Sequence, residues 1–133
     1  MSNTTLTLTP VTLVAAGTSN AAAGTTRGVA DMRGKLGGLL TMKIANGATG
    51  PTVACEGRVL VAHTNGATPA AASAGADWKT LWKFAGGTTA SAVTEQSMDV
   101  PPCNHLEVEF TGNTGQAVTV EAYLTEYTNA ATV

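Results

Sequence analysis

Residues 105–127 read HLEVEFTGNTGQAVTVEAYLTEY. Leu106, Val108 and Phe110 alternate with His105, Glu107 and Glu109, then Gly112-Asn113-Thr114-Gly115 interrupts the pattern. Alternation resumes with Val118, Val120, Ala122 and Leu124 against Thr119, Glu121, Tyr123 and Thr125. A period of two is that of a half-buried strand, and a Gly/Asn cluster between two such runs signals a turn. The stretch therefore predicts a β-hairpin whose apolar face builds a core and whose acidic face meets solvent or a partner.

The same signature recurs through the chain. "TTLTLTPVTLVAA" is extended, with Pro10 marking an edge or a break because proline cannot donate to an inner ladder. "TSNAAAGTTRG" reads as a loop. "LGGLLTMKIAN" sets Leu36, Gly38, Leu40, Met42 and Ile44 on one face. "TVACEGRVLVAH" alternates Val53, Cys55, Gly57, Val59 and Val61 against a face on which only Glu56 and Arg58 are charged. "TNGATPAAASAGAD" is a low-complexity loop with room for one weak helical turn. "WKTLWKF" follows, placing Trp78, Thr80, Trp82 and Phe84 on one face, and "AVTEQSMDV" is a weaker strand ended by "PPCN".

Seven to nine strands without a clear helix make an all-β chain. Two packed antiparallel sheets, a β-sandwich, bury that many half-apolar strands. The order Cys55, Trp78 or Trp82, Cys103 imitates an immunoglobulin-like core, but Cys103 lies in "PPCN" rather than in an alternating strand. A jelly roll is the preferred reading. The 133 residues are expected to form one β-sandwich domain, with an extended N-terminal arm over residues 1–9.

Charged residues are only 12% of the chain, about half the usual share, with Ala, Thr and Gly in their place. Such a surface costs little to desolvate and suits packing against another protein. A net charge of −2 is a poor footprint for nucleic acid. No apolar run approaches the roughly 18 residues that cross a bilayer, and "MSNTTLTLTP" lacks the basic and apolar regions of a secretory signal. In that setting Cys55 and Cys103 are expected as reduced thiols.

Residues able to do chemistry are sparse. Cys55, His63, Cys103 and His105 contain no close Cys or His pair of the structural-zinc kind. No serine sits in a nucleophile elbow. Glu107 and Glu109 lie about 7 Å apart along a strand, a spacing that flatters a glycosidase, yet their face reads as solvated. "RGVADMRGKLGG" is Gly-rich and basic but lacks the phosphate-loop spacing. It holds Arg27, Arg33 and Lys35, three of the chain's seven positive charges, as a flexible loop or a docking point for an acidic surface. Trp78, Trp82 and Phe84 would be core if buried and a sugar-binding platform if exposed.

The stretches "MRGKLGGLLTMKI", "WKTLWKF" and "HLEVEFTGNTGQAVTVEAYLTEYT" resemble the cement, or decoration, proteins of tailed-phage heads, of the jelly-roll type known from a Bordetella podophage. The resemblance implies a non-enzymatic structural protein on the capsid exterior of a virion, assembled in the bacterial cytoplasm. It implies no catalytic, cofactor or metal site. Its partners would be the major capsid protein and further copies of itself, as a dimer or trimer. Within that role, Thr5, Leu6, Thr7 and Leu8 are candidates to pair with a neighbour's sheet edge, and Arg27, Arg33 and Lys35 to meet acidic capsid surface. The alternative is a phage tail or receptor-recognition module that binds carbohydrate.

Overall fold

A computed structural model describes residues 5–65 and 77–129. They form eight strands and no helix: β1 (Leu6–Asn20), β2 (Thr25–Asp31), β3 (Gly38–Asn46), β4 (Glu56–Ala62), β5 (Trp78–Ala85), β6 (Val93–Val100), β7 (His105–Thr111) and β8 (Val118–Asn129). The "TNGATPAAASAGAD" loop falls mostly at 66–76 and so lies outside the described residues, as do residues 1–4 of the expected arm.

One sheet has the order β1-β8-β3-β6, the other β2-β7-β4-β5, and every pairing is antiparallel. Folding the chain back on itself between β4 and β5 pairs β4 with β5, β3 with β6, β2 with β7 and β1 with β8. Rolling that long ribbon adds the pairs β3–β8 and β4–β7. The result is a jelly roll, a β-sandwich as expected.

The predicted 105–127 hairpin is not formed. Strands β7 and β8 both exist with the expected inward residues, but they belong to opposite sheets. The turn between them crosses the sandwich because it is anchored elsewhere. Thr52 donates its N–H to the Thr114 carbonyl (2.8 Å), and Ala23 donates to that of Asn113 (2.8 Å). The Asn113 side chain is fully buried; its Nδ2 donates to the carbonyls of Asn20 (3.2 Å), Ala21 (3.3 Å) and Gln116 (2.9 Å). Its Oδ1 accepts from Asn20 Nδ2 at 2.6 Å. Gly112 and Gly115, at φ 93° and 84°, allow the reversal.

Inward residues of the two sheets interdigitate as one core: Leu40, Met42 and Ile44 from β3, Val118, Val120, Ala122 and Leu124 from β8, and Leu106, Val108 and Phe110 from β7. Alternation thus identified the inward residues of these strands, although the other face of β7 is buried as well. In β5 it did not. A register shift between Val59 and Leu60 on β4 loops Leu81 out of the β5 pairing. Trp82 and Phe84 consequently stack at 5.3 Å against the core, whereas Trp78 packs with Leu60 and Ala62 on the sheet's outer face. The two tryptophans lie on opposite sides of their sheet.

Candidate functional site

On the outer face of the second sheet, cross-strand register sets Arg27, Glu109, Arg58 and Lys83 in one row. The next row is Val29, Glu107, Leu60 and Thr80, and the next Asp31, His105, Ala62 and Trp78. Far from being solvated, His105, Glu107 and Glu109 are buried. That is a correction to the acidic-face expectation. Arg27 Nε lies 3.2 Å from Glu109 Oε2 and 3.7 Å from Glu107 Oε1, while Arg58 approaches Glu109 from the other side at 3.6 Å. A guanidinium bridging two carboxylates is an ion-pair clamp.

The other two basic candidates are also occupied within the chain. Arg33 grips Asp31 through two hydrogen bonds (2.9 and 2.7 Å) and reaches the Asn65 carbonyl. That guanidinium holds the Asp31 carboxyl well below the usual range. Lys35 Nζ sits 3.3 Å from Glu126. Arg27 is on β2 and Arg33 and Lys35 in the turn after it, so these cations do not form the flexible basic patch expected from sequence. Their glycines are structural: a Cβ on Gly28 would come within 2.5 Å of the Leu13 carbonyl, where β1 and β2 touch.

A cleft of 410 Å³ opens beside Val61, His63, Leu81, Pro101, Pro102 and Cys103. Burial raises the Cys103 thiol above its ordinary pKa and pushes Cys55 up to about 11, the wrong direction for an activated nucleophile. Both thiols are free. No group of three or more potential metal ligands gathers among the described residues. The aromatic row that would have made a sugar platform is split between core and opposite face.

What stands out is one corner of the first sheet. Of nine exposed large hydrophobic residues among those described, five lie there: Leu6, Leu8, Leu36, Leu39 and Tyr123. Outward rows run Leu8–Tyr127, Pro10–Thr125–Leu39 and Thr12–Tyr123–Thr41, with the Leu36 N–H bonded to the Tyr127 carbonyl. Asp99 ends the row through Leu39, and Glu121, paired with Lys43 at 3.1 Å, borders Tyr123, so charges rim the corner on its β6 side and along β8. Leu6 to Thr9 are not a detached arm; they begin edge strand β1 and pair with Glu126–Asn129. Thr5 precedes the strand and is exposed. The apolar positions were visible in "TTLTLTP" and "GKLGGLL", but their convergence required the β1–β8–β3 register.

No protein-family model and no curated protein matches the chain. Solved structures with a similar fold include the K3 adhesin domain of Lys-gingipain from Porphyromonas gingivalis, at TM-score 0.54 and 13% identity, covering 80% of this chain and 71% of that one. Another is a chain from infectious bursal disease virus, Gx strain, at TM-score 0.53 and 8% identity. It covers 93% of this chain, which spans only 33% of the viral one. At such identities the likeness concerns the fold alone.

Proposed function

We propose that this protein is a structural decoration protein of a phage capsid, binding the outside of the shell and bridging neighbouring major capsid protein subunits. The observation that carries the reading is the exposed apolar corner built by Leu6, Leu8, Leu36, Leu39 and Tyr123 on the outer face of the first sheet. A contiguous patch of this kind on a soluble domain favours a protein partner. A sparsely charged Ala/Thr/Gly surface keeps the desolvation cost of docking low. The jelly roll supplies a rigid support, and the fold is shared with a chain of a virus particle. Icosahedral repetition would multiply a modest energy per copy into a large one for the shell.

Cryo-electron microscopy of purified particles should show this chain outside the shell, over seams between capsid subunits. Its absence from washed particles would reject the reading. Leu39→Lys should lower occupancy on undecorated heads while leaving the fold intact, since Leu39 is exposed. Deleting Ser2 to Thr9 should weaken retention as well. Unchanged occupancy in both variants would remove the corner from the binding surface.

A further inference from the structure

Strand β1 lies at the edge of its sheet, is 15 residues long, and is exposed throughout Leu6–Pro10. Natural edge strands are normally guarded by lysines or other charges against pairing with another chain. Here the first 26 residues contain no Asp, Glu, Lys, Arg or His.

The direction of its backbone groups follows from bonds on the far side of β8. Tyr127 donates its N–H to Gly37 and accepts at its carbonyl from Leu36. Both its main-chain groups therefore face away from β1, so Leu8↔Tyr127 is a non-hydrogen-bonded pair. The N–H and C=O of Leu8 consequently point to the open edge, as do those of Leu6, which shares its parity. Pro10 shares it too, and its missing N–H leaves a gap in that edge.

We infer that this edge pairs antiparallel with β1 of a second copy of the chain, on a twofold axis at Thr7. In this register Leu6 meets the partner copy's Leu8 and Leu8 its Leu6, each pair exchanging two main-chain hydrogen bonds. Pro10 then falls at the margin of the overlap. Shifting the axis to residue 8 or 9 would bring Pro10 opposite Leu6 or Leu8 and lose a donor in each copy. The pairing is isologous, opposes no like charges, and brings the leucines of both copies side by side on one face. It joins the first sheets of two sandwiches into a continuous eight-stranded sheet. This inference stands apart from the decoration reading. A dimer that ignores shells would fail only that reading, and a shell-binding monomer would fail only this one.

Light scattering across a dilution series of the full chain should show a dimer that dissociates on dilution. Leu8→Lys, at a well-exposed position, should weaken it by about tenfold or more without altering the circular dichroism, because two lysines would be placed diagonally across the twofold axis. Oxidising Thr7→Cys should give a covalent dimer, because the facing Cα atoms would sit about 4.5 Å apart. Thr12→Cys should not cross-link, its copies being roughly 33 Å apart along the strands. A monomer at every concentration, a dimer indifferent to Leu8→Lys, or cross-linking at position 12 rather than 7 would overturn the inference.

Discussion

Replacing Asn113 by alanine should destabilise the fold out of proportion to its size. Asn113 is fully buried, and its Nδ2 serves three carbonyls while its Oδ1 accepts from Asn20. An amide nitrogen has two protons, so the three acceptors share two bonds, and the accepting bond makes a third. Each bond contributes about 1 kcal/mol net, and the orphaned groups are shielded from water, so the expected loss is about 3 kcal/mol. For a domain of this length that lowers the melting temperature by roughly 10 °C. Urea unfolding followed by circular dichroism measures the loss directly. Asn113→Asp should be at least as harmful although nearly isosteric, because it turns a carboxylate toward carbonyl oxygens. Pairing Asn113→Ala with Asn20→Ala in a double-mutant cycle should give about 1 kcal/mol of coupling. A loss below about 1 kcal/mol, or a benign aspartate, would refute the claim that this clamp holds the turn across the sandwich.

Three further outcomes are expected. Gly28→Ala should cost about 1–3 kcal/mol in urea unfolding, because the new methyl meets backbone at Leu13 that cannot rotate aside; an unchanged midpoint would contradict the contact. Arg27→Ala should cost about 1–3 kcal/mol, less than a fully buried pair because the guanidinium is partly exposed, and Arg58→Ala under about 1; the reverse order would show that Arg58 is the main clamp. Cys55 should resist alkylation in native protein near pH 8, since a thiol with a pKa of about 11 holds little thiolate, and should label fully once unfolded; rapid native labelling would contradict its burial.

Much of the molecule was legible in the chain. Alternation identified the inward residues of β3, β4, β7 and β8, and the lack of helical periodicity gave an all-β sandwich. The uncharged start of the chain is also a property of sequence alone. These features are readable because the side-chain direction of a strand is a local consequence of its pleat. Pairing is not local. Whether β7 turns back onto β8 or crosses to the other sheet depends on Asn20 and Thr52, which lie far from the turn in sequence. The Arg27–Glu109 contact likewise joins residues 82 positions apart, so a loop that read as basic became neutral and a face that read as solvated became buried. The inserted Leu81 reversed Trp78 relative to Trp82, since one extra residue flips every side chain beyond it. The pattern of single strands thus determined what faces the core. Only the tertiary structure decided which strands meet, which charges neutralise one another, and which edge is left open.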